Sequence, residues 1–487
     1  MLLIKSLNHR LKSPILILFL ITCLVYFLCI PPRNQYSALM TVNGSSQYLL
    51  TKALVDRQSF QIDPDVSFAN VDIAFYDGHY YSTKPPGLSF FAVPVYLTSK
   101  MLGYTLGFRN ENLTFFITQS LILMNVIISA LTLVIIFQIV LLLHGSRFAA
   151  MSTALIYGFL TIAWTYSGTF FRHSIATFFV TLFFYSYLRF LQFRTWRNLL
   201  GASFTLGYSI LCDYALVFIP LLWLGHLIIS QKNIYKPNKL LQLGFNILIG
   251  SFGSLIVIAV MNYVCCGNPF TFAYHYSIYT RETFGTNPED LLLGLPLKEY
   301  ISNALRMTLI PDNQNFVLDI YWHRALFFLS PILILGLYGF WLIKTQSRYA
   351  GLILPMFGTF VTLVAVYARW IEWHGGWCWG PRQLLPGIPF IVIPLHNVID
   401  RGFKRLIIRL IVVILALFSF LMANIGALSR WSEESVQHLF TIPPEPWIQE
   451  YLPSWTSLTL IYLTLGLTTL YTVSLKIHYS NKKFNFT

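Results

Sequence analysis

The chain has 487 residues, of which 56% are hydrophobic and only 11% are charged, and its mean hydropathy is +0.62. A soluble domain of this length could not bury so much apolar surface, so the composition excludes a soluble globular protein. The formal net charge of +14 would suggest nucleic-acid binding in a soluble chain. In a membrane protein the excess of Lys and Arg in cytoplasmic loops explains it, and no nucleic-acid partner is expected.

Apolar runs long enough to cross about 30 Å of hydrocarbon recur along the whole sequence. The first follows three basic residues and ends in Pro-Pro without a small-residue cleavage site, so we expect it to be retained as a span. The six cysteines show neither metal-ligand spacing nor a disulfide framework. The clearest runs are 14–30, 121–143, 243–264, 326–342, 407–428 and 458–475.

The distribution of charge predicts which loops face the cytoplasm. The apolar stretch 87–103 is short, contains Pro94 and carries Lys100, so we expect it to lie in the membrane interface. With that choice, one set of connecting segments carries 19 Lys and Arg against one acid, and the rest of the chain carries 14 against 18 acids. The positive-inside rule makes the basic set cytoplasmic, and both termini belong to it.

The sequence therefore predicts an all-α polytopic membrane protein, a single domain over 1–487 with about 12 transmembrane helices. A large first outer loop is expected to carry juxtamembrane helices, because its apolar residues recur at helical spacing among charged ones. The four sizeable outer segments are 32–113, 265–324, 369–385 and 429–456.

The first outer segment combines a turn signal with a candidate anion site. Asp77-Gly78 between two aromatic runs predicts a β-hairpin, which gives Asp77 a structural explanation. Residues 84–87 (Lys-Pro-Pro-Gly) then precede an apolar helix, since proline suits the first helical turn. Lys84 would sit beside a helix N-terminus, where the dipole repels a cation and attracts an anion. Lys84 is therefore a candidate phosphate ligand, and a lysine reaching to lipid headgroups is the alternative.

Other polar residues fall at the predicted outer ends of spans. Arg172 and His173 lie between the third and fourth spans, where an interface anchor is the alternative to a binding role. Asp213 is expected to cap a tight hairpin between two spans. Segment 369–385 contains four tryptophans, a Gly-Pro turn and Arg382, which suits a sugar platform with a phosphate clamp. An interfacial aromatic belt is the alternative for this segment.

Several function classes are disfavoured by what the sequence lacks. It shows no glycine-rich nucleotide loop, HExxH or GxSxG motif. Transporters usually place ionisable groups near the membrane midplane, whereas the clear apolar runs carry no Asp, Glu, Lys or Arg at their centres. Because nucleotides are scarce outside the cell, a lipid-phosphate sugar fits chemistry at the outer face. A transporter or flippase for a lipid-linked sugar is the rival interpretation.

Two stretches carry a resemblance to a known family. Residues 76–87 (Tyr-Asp-Gly-His-Tyr-Tyr-Ser-Thr-Lys-Pro-Pro-Gly) resemble the first-loop signature of bacterial GT-C glycosyltransferases, the group around the protein mannosyltransferases and the lipid A aminoarabinose transferase. Residues 373–386, ending in Trp-Gly-Pro-Arg-Gln-Leu-Leu-Pro, resemble a late outer loop of bacterial relatives. The resemblance implies an enzyme of the inner membrane. It would move a sugar from a polyprenyl-phosphate donor to an acceptor glycan, lipid or protein on the periplasmic face.

The resemblance also implies roles for individual residues. Lys84 matches the lysine that contacts the lipid phosphate, and Arg382 and Arg172 are expected beside it. Relatives carry Asp-Glu-x-x-Tyr where residues 44–48 read Gly-Ser-Ser-Gln-Tyr, so a non-catalytic relative is a third interpretation. His173 stands where relatives often carry an Asp.

The missing acid leaves two candidate catalytic carboxylates, Asp72 and Asp77. Asp72 is favoured because it has no turn to make and lies on an apolar stretch, where a carboxylate costs free energy unless it is paired or useful. No metal cluster or cofactor is predicted, and a single Asp-bound Mg²⁺ stays compatible with the sequence. Sugar or acceptor ligands are expected to be His79, Tyr81, His173, Trp377 and His374.

Overall fold

The fold is predominantly helical. The computed structural model describes residues 14–30, 42–68, 72–278, 297–310, 325–344, 350–370, 373–375, 378–402, 405–429, 459–469 and 472. Within these residues, seven helices are long and apolar enough to cross a membrane, and three shorter apolar helices accompany them. The prediction of a polytopic helical membrane protein is confirmed, while the count of twelve spans stays a prediction. The seven are Asn110–Leu142, Arg172–Phe193, Tyr214–Gln231, Pro237–Cys266, Ala350–Tyr367, Arg382–Arg401 and Leu406–Leu428.

The N-terminal half alternates long helices with one small hairpin. Residues 87–103, predicted not to span, fall within a helix that is not among the seven. The elements are α1 (Pro14–Leu28), α2 (Val42–Asp56), a 3-10 turn (Asp63–Phe68), β1 (Ile73–Tyr76), β2 (His79–Ser82), α3 (Gly87–Thr105), α4 (Asn110–Leu142), α5 (Arg147–Phe159), α6 (Ala163–Ser167), α7 (Arg172–Phe193), α8 (Trp196–Cys212), a 3-10 turn (Tyr214–Phe218), α9 (Ile219–Gln231) and α10 (Pro237–Cys266).

The named elements in the described part of the C-terminal half are helices and helical turns, and almost all of the predicted outer segment 429–456 lies outside the described residues. Its elements are a 3-10 turn (Ala273–Tyr276), α11 (Leu297–Thr308), α12 (Leu326–Leu329), α13 (Ile332–Lys344), a 3-10 turn (Ala350–Leu352), α14 (Ile353–Tyr367), a 3-10 turn (Arg382–Gly387), α15 (Ile388–Val392), α16 (Leu395–Asn397), a π-helical turn (Val398–Gly402), α17 (Leu406–Ser429) and α18 (Thr459–Thr469).

The predicted hairpin is present, and its turn explains the Asp-Gly pair. β1 and β2 are antiparallel, and Tyr76 pairs with His79 across the two-residue turn. Asp77 and Gly78 have φ angles of 49° and 83°. Positive φ at both central positions defines the turn that matches strand twist, and Asp and Gly tolerate it best.

Ion pairs fasten this hairpin region to α2. Asp65 accepts hydrogen bonds from Lys52 (2.5 Å) and Arg57 (2.8 Å), and only 10% of its side chain is exposed. Burial alone would raise the pKa of Asp65, but the hydrogen bonds from these two cations hold it below its usual value. Ser46 of α2 donates to the backbone carbonyl of Asp72 at 2.7 Å. The base of the hairpin is thereby held at a defined position against α2.

Several helix ends converge at one end of the bundle. α7 starts at Arg172, α8 ends at Cys212 and α14 ends at Tyr367. α7 packs against α8, and the start of α3 meets the end of α8 at Gly87. A side chain at Gly87 would place its Cβ 2.6 Å from the backbone nitrogen of Cys212. Glycine therefore permits the Lys-Pro-Pro segment to lie directly against the junction between α8 and α9.

Gly87→Ala is accordingly expected to displace the start of α3 and to lower both thermal stability and activity. Overpacking against backbone atoms that cannot move aside costs about 1–3 kcal/mol. Gly253→Ala is the matched control, because a Cβ at this helical glycine would meet nothing within 4 Å. Thermal unfolding of the two purified variants in detergent checks the prediction. Equal melting temperatures would contradict the close packing at Gly87.

Candidate functional site

A buried polar cluster lies where these helix ends meet the hairpin. It draws on the hairpin, the segment before α3, the start of α7, the junction after α8, the end of α14 and the turn that begins at Arg382. Its members share ionisable or hydrogen-bonding side chains at the rim of an otherwise apolar bundle. They are Asp72, Lys84, Arg172, His173, Asp213, Tyr367 and Arg382.

Asp72 and Lys84 form a direct ion pair in this cluster. Lys84 Nζ lies 2.7 Å from Asp72 Oδ1, and the two side chains are 12% and 13% exposed. Burial lowers the pKa of Lys84, and the neighbouring carboxylate of Asp72 opposes that shift. Asp72 Oδ2 is buried without a hydrogen-bond partner. Because unpaired buried acceptors are rare, this oxygen is available for a group that the substrate brings.

Two arginines add positive charge to the same cluster. Arg172 and Arg382 both act electrostatically on Lys84, and the Nε atoms of both guanidinium groups are buried without a partner. The Arg382 guanidinium carbon lies 4.9 Å from the centre of the Phe171 ring, which orients its plane. Planar guanidinium groups bind phosphate through paired hydrogen bonds.

Asp213 is the second carboxylate of the site. Its Oδ1 accepts hydrogen bonds from the Tyr367 hydroxyl and, at 3.2 Å, from the backbone of Ala215. Its Oδ2 lies 3.3 Å from His173 Nδ1, and both of these side chains are 2% exposed. Burial would raise the pKa of Asp213, but the neighbouring imidazole of His173 and the charge of Arg172 hold it below its usual value.

The formal charges of the cluster do not cancel. Lys84, Arg172 and Arg382 carry three positive charges, whereas Asp72 and Asp213 carry two negative charges. A buried excess of positive charge is unfavourable unless an anion balances it. The arrangement is therefore suited to a phosphate group, held beside one carboxylate with an unpaired oxygen. Among the described residues, no group of three or more His, Cys, Asp or Glu is placed to hold a metal ion.

The other predicted ligands lie apart from this cluster in the described structure. Asp77 is exposed at the hairpin tip, and His79 Nδ1 lies 3.2 Å from Asp63 Oδ2. Tyr81 is buried in an apolar cluster with Cys265 and its neighbours on α10. His374 packs beside Trp373, with ring centroids 5.6 Å apart. Trp377 lies outside the described residues.

Sequence reasoning missed Tyr367 and favoured only a structural role for Asp213. Tyr367 donates to Asp213 across 154 residues, and no local pattern announces such a pairing. Ser46 was also overlooked, although it stands in the segment where relatives carry acids. Its hydroxyl lies 2.6 Å from that of Ser82, so it braces the hairpin base. The sequence signal for Asp213 was an ionisable residue at the junction of two apolar segments, a position that often marks a functional site.

Comparisons with known proteins give one family-model match and several similar solved structures. Residues 112–257, from α4 into α10, match the family model described as Dolichyl-phosphate-mannose-protein mannosyltransferase. No curated protein gives a significant match. The chain is similar to an oligosaccharyltransferase of Archaeoglobus fulgidus, solved with Zn and sulfate, at 14% identity and a TM-score of 0.48 over 84% of this chain and 53% of that chain.

The chain is also similar to a second solved structure. It is the archaeal oligosaccharyltransferase AglB from Archaeoglobus fulgidus, in complex with an inhibitory peptide and a dolichol-phosphate. The identity is 12% and the TM-score 0.47, over 91% of this chain and 60% of that chain. This chain therefore matches little more than half the length of these proteins.

Proposed function

We propose that this chain, which matches a mannosyltransferase family model over residues 112–257, is a GT-C glycosyltransferase. In this proposal it transfers a sugar from a polyprenyl-phosphate donor to an acceptor on the outer face of the membrane. The observation that carries the proposal is the Asp72–Lys84 pair beside two buried arginines. A carboxylate with one unpaired oxygen and an excess of cations are the two elements that such a transfer requires.

Donor binding begins at the cations. The donor phosphate enters between Lys84, Arg172 and Arg382, near the start of α3, whose free N–H groups also favour an anion. Lys84 then exchanges its contact with Asp72 for one with the phosphate. This exchange leaves the Asp72 carboxylate without its cation, so the carboxylate becomes free to accept a proton. Donor binding thereby prepares the base.

The transfer step follows from this arrangement. Asp72 takes the proton from an acceptor hydroxyl, and the acceptor oxygen forms a bond to the anomeric carbon from the side opposite the phosphate. The bond between the anomeric carbon and the phosphate oxygen breaks, and the phosphate leaves with the electron pair. Lys84 and the two arginines stabilise the charge that develops on the departing phosphate. The product carries inverted configuration at the anomeric carbon.

The rival function, movement of a lipid-linked sugar across the membrane, has less support. In those of the seven described spans that contain Asp, Glu, Lys or Arg, these residues lie towards the helix ends rather than at the centre. Transporters typically place such groups near the midplane. The ionisable cluster of this chain lies at one end of the bundle, where it can meet an acceptor from the aqueous side.

A gene deletion tests the proposed function and identifies the donor. Cells without the protein are expected to accumulate one polyprenyl-phosphate sugar, because the step that consumes it is missing. Reintroduction of the wild-type chain should remove the accumulated lipid, and reintroduction of Asp72→Asn should not. Accumulation of no lipid-linked sugar would contradict the proposal.

The proposed outer location of the site gives a topology prediction. In a variant with all six cysteines replaced by Ser, Asn268→Cys after α10 should react with a membrane-impermeant maleimide in intact cells. Lys236→Cys before α10 should react only after the membrane is opened, because the basic loop is predicted to be cytoplasmic. Labelling in the reverse pattern would place the cluster on the cytoplasmic side.

Arg382→Lys tests the phosphate clamp. Lysine keeps the charge but loses the planar fork, so kcat/KM for the donor is expected to fall about 10- to 100-fold, as for loss of a charge-assisted contact. Arg369→Lys is the matched control, because this exposed arginine also lies over an aromatic ring, Tyr300, but outside the cluster. Equal activity of both variants would assign Arg382 to packing alone.

A further inference from the structure

The mechanism above leaves one buried pair without a task. His173 Nδ1 and Asp213 Oδ2 are 3.3 Å apart with almost no exposure, although removing an acid and an imidazole from water costs free energy. Asp213 is also held by the Tyr367 hydroxyl and by the backbone N–H of Ala215, which both donate to Oδ1, while Oδ2 faces His173. Such an arrangement is more than is needed to close a turn between two helices.

The pairing determines which nitrogen of His173 is free. Asp213 accepts two hydrogen bonds on Oδ1 and presents Oδ2 to His173 Nδ1 at 3.3 Å, and a carboxylate in these surroundings acts as an acceptor. Nδ1 of His173 therefore carries the proton, and Nε2 presents its lone pair. A carboxylate that fixes a histidine tautomer and ring orientation in this way is a recurring feature of functional sites.

His173 lies beside the proposed phosphate site. It follows Arg172 directly at the start of α7, and both Arg172 and Arg382 lie close enough to act on it electrostatically. A sugar joined to a phosphate on these arginines comes within reach of neighbouring side chains. Two side chains there can accept a hydrogen bond, Asp72 and His173. Asp72 is already assigned to the substrate that receives the sugar.

We propose that His173 accepts a hydrogen bond from a hydroxyl group of the sugar being transferred, and that Asp213 is the positioning residue that fixes its ring. This inference rests on the proposed function, because it requires a sugar on the bound phosphate. It makes the pair a determinant of sugar recognition. The alternative is a purely structural role, in which His173 serves only as a partner for the buried carboxylate of Asp213.

Two substitutions of His173 separate these roles. His173→Asn can keep a donor near the position of Nδ1 and so preserve the contact with Asp213, but it removes the acceptor at Nε2. His173→Gln can place an amide oxygen near the position of Nε2. Asp213→Asn keeps the shape of Asp213 but offers an amide N–H to Nδ1, which reverses the tautomer and turns Nε2 into a donor.

The experiment compares two kinds of probe on the full-length protein in nanodiscs. Farnesyl phosphate reports the phosphate site, and farnesyl phosphate carrying mannose, glucose, galactose or aminoarabinose reports the sugar as well. For the wild type, one sugar is expected to tighten binding over farnesyl phosphate. His173→Asn and Asp213→Asn should reduce this gain about 10-fold, as for a lost hydrogen bond, while His173→Gln retains more of it. Affinity for farnesyl phosphate itself should stay within about twofold in the His173 variants.

Three outcomes overturn the inference in distinguishable ways. If His173→Asn keeps the full increase in affinity that the sugar gives, the role of His173 is only to support Asp213. An equal loss for farnesyl phosphate and for the sugar-bearing probe would place the pair at the phosphate or in the fold. No gain from any sugar in the wild type, with farnesyl phosphate still bound, would contradict sugar recognition and the proposed function together.

Discussion

Asp72→Asn is expected to lower turnover by about 10²–10⁴-fold, the range typical of removing a general base, with little change in expression. The physical reason is the unpaired Oδ2 of Asp72, which is buried beside the cation that it would release on donor binding. Asn keeps the shape of the side chain and removes the proton acceptor. Initial rates with the accumulated lipid donor, measured for purified variants, check this result.

Asp77→Asn is the matched control for the same measurement. Asp77 is exposed at the turn with φ of 49°, a conformation that Asn adopts readily, so the hairpin and most of the activity should survive. An inactive Asp77→Asn beside an active Asp72→Asn would make the turn residue the base. Activity in both variants would exclude both carboxylates and make His173 or His79 the next candidate.

Lys84→Ala should lower turnover by roughly 10- to 150-fold, which corresponds to the loss of about 1.5–3 kcal/mol from a charge-assisted contact. The structure adds a less obvious expectation for binding. Since Asp72 occupies Lys84 before the donor arrives, Asp72→Asn should tighten the binding of farnesyl phosphate even while it lowers turnover. Near-wild-type turnover of Lys84→Ala would instead leave it as a residue that reaches to lipid headgroups.

A double-mutant cycle shows whether the tighter binding of farnesyl phosphate in Asp72→Asn arises from the release of Lys84. If Asp72 competes with phosphate for Lys84, the gain in affinity from Asp72→Asn disappears in a Lys84→Ala background. If the gain persists there, it comes from repulsion between the carboxylate and the phosphate. Weaker binding in Asp72→Asn would contradict the exchange altogether. Isothermal titration with farnesyl phosphate on the four purified proteins gives all the required affinities.

Local structure could be predicted from the sequence, whereas contacts between distant segments could not. The hairpin at Asp77-Gly78 follows from turn geometry alone, and the helix after residues 84–86 follows from the Pro-Pro pair. That helix begins at Gly87, directly after both prolines, and the chain there packs on the backbone of Cys212. Such a contact between distant segments leaves no periodic trace in the sequence.

The candidate site divides in the same way. Asp72, Lys84, Arg172, His173 and Arg382 were expected from motifs, and the structure brings them into one cluster. Tyr81 belongs to the same aromatic run, yet its strand packs that side chain against α10. Sequence spacing shows that residues alternate between the two faces of a strand, but it does not show which face another helix covers.

The most direct measurement of the central claim uses the purified protein in liposomes, with the lipid donor that accumulates in the deletion strain. The account predicts cleavage of the donor, so polyprenyl phosphate and a glycosylated acceptor should form together in the wild type and much more slowly in Asp72→Asn and Lys84→Ala. Movement of the intact lipid-linked sugar across the bilayer, with no polyprenyl phosphate released, would contradict it and establish the chain as a transporter.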